Sequence, residues 1–167
     1  YQTEKQNGRA QIISLTKNSG KGFALKAGVM TANGSHILTL DADMSSRPTE
    51  INQWLAKHQG KFPASTILIG SREHKDSKIT ELPMRRRFGR VFNFFVRMLT
   101  PLSQNDTQCG FKLYPSAIAK QLFGNLKNGG WAHDTELLVN ARLHNVHIEE
   151  MPLTWKAMDG SKINPAI

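Results

Sequence analysis

One cysteine in 167 residues, Cys109, leaves no internal disulfide and no cysteine-based metal cluster, and it fits a reducing compartment. No run of 18 apolar residues occurs, so nothing in this sequence reads as a membrane-spanning helix. Low-complexity tracts and internal repeats are absent too. Acidic residues are scarce, 13 against 22 Lys and Arg, giving a net charge of +9. That imbalance favours an anionic partner, whether nucleotide, nucleic acid or acidic membrane surface, without choosing among them. A hydrophobic content of 39% is ordinary for a globular chain of one domain. The polar start, Tyr1 to Arg9, carries no secretory signal and has the look of a cut edge of a longer chain.

Short apolar runs alternate with helical patterns. Strands are predicted at Ala10–Leu15, His36–Leu40, Ser65–Ile69, Phe111–Tyr114 and Val146–Met151. Helices are predicted around Phe23, Ala27 and Met30, from Ile51 to a stop at Gly60, over Pro83–Leu99, over Ser116–Phe123 and over Asp134–His144. Such alternation predicts an α/β domain with a mostly parallel sheet and helices on both faces.

Leu40-Asp41-Ala42-Asp43 closes the second apolar run. On an extended chain, residues two apart point the same way, so Asp41 and Asp43 are expected to project together from the strand's carboxyl end. Open α/β sheets bind ligands there. Two carboxylates suit a hard divalent cation that completes its shell with water and a diphosphate. A chance Asp-x-Asp in a chain with six Asp is the plain alternative. Asn18-Ser19-Gly20-Lys21-Gly22 joins a strand to a helix, where glycines let backbone N–H groups approach a phosphate and Lys21 adds a charge. It matches neither a Walker A loop nor Gly-x-Gly-x-x-Gly, and a tight turn explains it equally well. Arg72 follows another strand, on the same edge as Asp41 if the strands are parallel, and is a candidate for bidentate phosphate binding.

Residues 83–100 combine Arg85, Arg86, Arg87, Arg90 and Arg97 with Val91, Phe92, Phe94, Phe95, Val96, Met98 and Leu99. A basic, aromatic-rich helix of this kind suits the interface of an anionic bilayer. An ordinary core helix is disfavoured because positive charge at a helix N-terminus opposes the macrodipole. Asp106 precedes a strand, and Asp134 with Glu136 opens a helix. Asp134 reads either as an N-cap or, like Asp106, as an acid over the site that takes a proton or orients a reactant. Trp131 and His133 pack or face a substrate. Lys162, in the polar turn Asp159–Ile163, is a candidate anion contact.

Taken in order, Asn18–Gly22, Leu40–Asp43, Gly70–Arg72, the Arg-rich helix start, Asp106–Leu113, Asp134–Leu138 and Gly160–Ile163 resemble the family 2 inverting glycosyltransferases of the GT-A fold. The resemblance spans nearly the whole chain and leans toward polyprenyl- and dolichyl-phosphate β-glucosyltransferases. It implies Mg²⁺ or Mn²⁺ held by Asp41 and Asp43 against the donor diphosphate, with Gly20, Lys21 and Gly22 also on the donor side. In mannosyl relatives a residue two positions further on coordinates as well; here that position is Ser45. Arg72 and Arg86, with Arg85 and Arg90 as neighbours in register, are implied for the acceptor phosphate, with Lys162 as a further contact; Asp106 and Asp134 take the catalytic positions. The family's Pro-x-Tyr-Asn-Glu strand end and Asp-Asp-Gly-Ser turn do not occur, so residues 1–167 are expected to be a partial catalytic domain without its first strand. The implied reaction moves glucose from UDP-glucose to a lipid phosphate at the cytoplasmic face of a membrane, with no nucleic acid involved. Two alternatives stand beside it: a family 2 transferase acting on a sugar hydroxyl of a surface polysaccharide, and a non-catalytic basic module binding nucleic acid or acidic lipid.

Overall fold

The computed structural model describes residues 2–6, 10–80, 91 and 93–157. Its main sheet has four strands, β3 (His36–Thr39), β6 (Lys112–Pro115), β4 (Thr66–Gly70) and β7 (His147–Met151), in the order β3-β6-β4-β7. β4 and β7 are parallel, and β6 runs antiparallel to both β3 and β4. Three strands therefore share one direction, as expected of a mostly parallel sheet, with a single reversed strand threaded between them. That reversal has a functional consequence. The carboxyl ends of β3, β4 and β7 and the amino end of β6 all lie on one edge of the sheet.

Period-two alternation assigns the strand residues to two cores. Ile37, Ile67, Ile69, Tyr114 and Ile148 face one side, with Leu137, Leu138 and Ala141 of α5 (His133–Leu143) and Ala119, Leu122 and Phe123 of α4 (Ser116–Gly124). α1 (Lys21–Thr31) covers the same side through Val29 and Phe23. Met30, expected to face inward, is exposed, and the core position falls to Val29 one residue earlier. Leu68, Leu113, Phe111 and Met151 face the other side, against Trp54 of α2 (Ile51–Lys57). Trp54 is fully buried, its ring edge-on to Phe111 at 5.1 Å and its indole N–H donating to the Pro152 carbonyl at 2.7 Å. An indole buried this deeply has to find such an acceptor. α2 unwinds at Gln59 and Gly60, both in the left-handed region, which accounts for the stop expected at Gly60.

Two small sheets lie outside the sequence-based expectations. β1 (Gln2–Gln6) and β2 (Ala10–Ser14) form an antiparallel hairpin with Gln6 opposite Ala10, so the strand foreseen at Ala10–Leu15 pairs with the polar start and not with the main sheet. β5 (Lys78–Thr80) pairs in parallel with β8 (Thr154–Lys156). Of the basic helix, residues 91 and 93–99 are described and form α3; its expected start, with Arg85, Arg86, Arg87 and Arg90, lies outside the described residues, as does the tail carrying Lys162.

Candidate active site at the strand edge

β3 ends at Thr39, and residues 41–44 form a turn closed by the Met44 N–H donating to the Asp41 carbonyl at 3.2 Å. Asp41 and Asp43 thus both lie in a turn, and the extended-chain argument for their common direction does not apply. Met44 sits in the left-handed region at φ 57°. Asp43 stabilises the turn by accepting from the Ser45 N–H at 2.9 Å. Ser45 itself is buried, so its side chain does not share the exposed position of Asp43.

Asp41 is closely surrounded. Lys21 Nζ lies 2.6 Å from its Oδ1. On its other flank, a Cβ added to Gly110 would come within 2.5 Å of both carboxylate oxygens. Only a glycine lets that backbone approach. Burial, the largest influence on Lys21, pulls its pKa down; the hydrogen bond and charge of Asp41, aided by Asp134, outweigh it and hold the ammonium above its ordinary value.

A carboxylate has about four lone-pair sites, and among the described residues one hydrogen bond on each of Asp41 and Asp43 leaves room for a hard cation. Among the described residues no group of three or more His, Cys, Asp or Glu is placed to hold a metal alone. The donor set fits Mg²⁺ or Mn²⁺, whose remaining ligands come from water and a diphosphate.

The glycine turn does something other than expected. The Gly20 N–H donates to Asn18 Oδ1 at 3.1 Å, and the Gly22 N–H to the Gly129 carbonyl at 2.8 Å, so neither is turned to a phosphate. Gly20, at φ 87°, lies against the Gly129 carbonyl, and a Cβ on Gly22 would stand 2.7 Å from His133 Cβ. The glycines seat Lys21 against the 128–133 loop.

Arg72 and Asp106 meet across the edge. Arg72 donates through Nε (2.7 Å), Nη2 (2.9 Å) and its backbone N–H (3.0 Å) to the Asp106 carboxylate, which also accepts from the Gln108 N–H at 3.3 Å. The bidentate partner foreseen for Arg72 as a phosphate is thus a carboxylate of the same chain. The guanidinium also lies 5.6 Å over the Trp155 ring. Burial pushes the Asp106 pKa up most strongly, but the Arg72 hydrogen bonds and charge more than offset it, so the carboxyl stays below its ordinary value. A depressed, fully engaged carboxylate is a poor proton acceptor, and Asp106 serves to hold Arg72. Glu150 of β7 holds the loop in turn, accepting from the Asn105 and Asp106 N–H groups at 3.1 and 3.2 Å.

Asp134 is not an N-cap: the cap position is Ala132, with no side-chain bond. Its Oδ1 accepts from Lys112 Nζ at 2.5 Å. Glu136 braces the preceding loop, accepting from the Lys127 and Asn128 N–H groups at 2.8 Å each. His133 Nδ1 is 2.7 Å from the Gly130 carbonyl, which only accepts, so Nδ1 carries the proton. In the neutral ring Nε2 is then bare, and it lies 3.2 Å from Asp134 Oδ2 without a hydrogen bond. Trp131, two residues before His133 in the chain, is exposed. Burial, the dominant cause, together with the Asp106 charge pushes the Cys109 thiol up to about 12.

Lys112, Trp155 and Glu150 were not singled out by sequence reasoning. Lys112 had a legible signal: a lone charge inside the buried run Phe111-Lys112-Leu113-Tyr114 requires a partner.

The family model for "Glycosyl transferase family 2" matches residues 1–123. Over 99% of its length the chain is 32% identical to a dolichyl-phosphate beta-glucosyltransferase of Dictyostelium discoideum, covering 52% of that protein. The human dolichyl-phosphate beta-glucosyltransferase is 33% identical over 94% of the chain, again with 50% of the relative covered. The chain thus spans about half the length of the curated relatives it matches. Among solved structures, glucosyl-3-phosphoglycerate synthase of Mycobacterium tuberculosis in complex with UDP superposes with a TM-score of 0.57 at 16% identity, covering 86% of this chain and 48% of that one. The superposition shows the fold, a GT-A type α/β sheet. With the family model covering most of the residues that build the strand edge, the chain belongs to glycosyl transferase family 2.

Proposed function

We propose that this chain is part of a glycosyltransferase that moves glucose from UDP-glucose to a dolichyl or other polyprenyl phosphate, with inversion, at the cytoplasmic face of a membrane. The glucosyl and lipid-phosphate assignments follow the curated relatives. One structural observation carries the choice of acceptor. Both acids read as taking a proton or orienting a reactant are committed to ion pairs, Asp106 to Arg72 and Asp134 to Lys112. The Arg72 pair holds the Asp106 carboxyl below its ordinary value and so disfavours proton uptake there, and the Asp134 carboxylate is occupied by the Lys112 ammonium. A phosphate acceptor is already anionic at neutral pH and needs no base, whereas a sugar hydroxyl does.

On this reading a phosphate oxygen of the lipid attacks the anomeric carbon from the face opposite the leaving diphosphate. The bond from that carbon to the diphosphate breaks, and UDP departs. Asp41 and Asp43 hold Mg²⁺ or Mn²⁺, which supplies charge neutralisation for the diphosphate. Lys21, beside Asp41, adds positive charge on the donor side. Gly20 and Gly22 shape the turn that presents it. Arg72 meets the acceptor phosphate in an orientation set by Asp106, which takes two of the five guanidinium N–H donors. Arg86 and Lys162 are proposed as further phosphate contacts.

α3 supports the membrane surface. Val91, Phe94, Phe95, Met98 and Leu99 are exposed, Leu99 to 76%. An apolar strip of this kind on a chain of net charge +9 suits insertion among anionic headgroups. Among the described residues no helix is long and apolar enough to cross a membrane.

The test is calorimetric titration of UDP, UDP-glucose and GDP-mannose into the full-length protein, with and without Mn²⁺, followed by glucosyl transfer to a polyprenyl phosphate. Mn²⁺-dependent UDP-glucose binding that vanishes in Asp43→Ala is the expected result. Preference for GDP-mannose overturns the glucosyl assignment, and absence of nucleotide binding overturns the transferase reading.

A further inference from the structure

Lys112 is wholly buried on β6, and its ammonium makes two short bonds, to the Cys109 carbonyl at 2.6 Å and to Asp134 Oδ1 at 2.5 Å. Those acceptors belong to the two segments that flank the Lys21–Asp41 pair. The first is the Cys109–Phe111 segment, whose Gly110 lies against the Asp41 carboxylate. The second is the start of α5. Gly22 rests on His133, the Gly22 N–H is bonded to the 129 carbonyl, and the adjacent Lys21 reaches Asp41 at 2.6 Å. One ammonium, out of contact with solvent, thus ties together both segments beside the pair that includes the carboxylate proposed to hold the cation.

A residue whose only task was stability would not need this arrangement. A well-packed apolar side chain fills a buried strand position at least as favourably as an ion pair. A buried charge that fixes the partners of a metal ligand contributes orientation, and removing such outer partners weakens metal affinity by about 10- to 100-fold.

We propose that Lys112 is a positioning residue of the donor site: through Cys109 and Asp134 it sets the spacing of the two segments that present Asp41 and Lys21 to the metal–diphosphate group. The proposal rests on the donor-site reading above. It requires no direct contact between Lys112 and the nucleotide.

The experiment compares the full-length protein with Lys112→Met and with the double variant Lys112→Met/Asp134→Asn. The double variant leaves no unpaired buried charge and guards against simple misfolding of the single one. UDP is titrated calorimetrically in Mn²⁺, and thermal melting is recorded alongside. In the double variant a cooperative melt, a binding stoichiometry equal to wild type and a dissociation constant raised about tenfold or more are expected. A purely structural role gives the opposite pattern, a reduced fraction of competent sites with an unchanged dissociation constant, and that overturns the proposal. So does wild-type affinity in either variant. If the unaltered protein binds no UDP in Mn²⁺, the donor-site reading itself fails and this inference falls with it. Normal wild-type binding with indifferent variants refutes the inference alone.

Discussion

Replacing Asp106 with Asn tests the acceptor side of the site most sharply. Asp106 is 1% exposed and accepts three N–H groups of Arg72 and one of Gln108. Removing one partner of a buried ion pair costs about 3–5 kcal/mol. The Arg72 side chain retains 23% exposure and recovers some hydration, so the lower end, about 3 kcal/mol, is expected. At a urea dependence of about 2 to 3 kcal/mol per molar, the unfolding midpoint falls by about 1 M or slightly more. The pH dependence follows from the depressed carboxyl. A group with a lowered folded pKa stabilises the fold above its unfolded pKa, about 3.9 for Asp, and loses that contribution as pH falls through the folded value. The gap between wild type and Asp106→Asn is therefore full at pH 7 and shrinks below about pH 4. Urea titrations of the full-length protein at pH 7 and pH 3 read both quantities. A midpoint change below about 0.2 M at pH 7, or a gap that is the same at both pH values, refutes the reasoning.

Other expectations follow from single contacts. Gly22→Ala places a methyl 2.7 Å from His133 Cβ and 2.8 Å from the Asn128 carbonyl, an overpacking worth about 1–3 kcal/mol, so thermal melting should drop; an unchanged melting temperature contradicts the seating of the turn. Met44→Gly relieves a left-handed conformation costing about 1–2 kcal/mol, against a glycine entropy cost of about 0.5–1 kcal/mol. The variant should melt slightly higher, and a lower melting temperature counts against the turn geometry. With its pKa at about 12 and its side chain buried, Cys109 should stay inert to a disulfide reagent at pH 8 until the protein is unfolded in urea. Rapid modification of the native protein refutes its burial.

The local readings succeeded where a short segment carried its own constraint. β4 needs only a run of apolar residues ended by Gly70, and α5 needs only Leu137, Leu138 and Ala141 at helical spacing; both formed within a residue or two of expectation. β5 and β8, three residues each, have no periodicity to read, and their pairing depends on chain segments more than seventy residues apart. The site residues divide the same way. Asp41, Asp43, Arg72, Asp106 and Asp134 were visible as charges at the ends of predicted elements, because polar groups at strand ends are conspicuous against apolar runs. Which of them pair with which was not visible.

The sequence by itself determined the order of the four main-sheet strands and of the helices between them, and the identity of the charged groups at their ends, since these follow from local pattern. Only the tertiary structure decided that β6 runs backward, bringing Asp106 and Lys112 to the same edge as Asp41 and Arg72. From that reversal came the pairings Arg72–Asp106 and Lys112–Asp134, which anchor both carboxylates. Pairings of this kind join residues 22 and 34 positions apart, and strand direction, which no local pattern encodes, settles which charges meet.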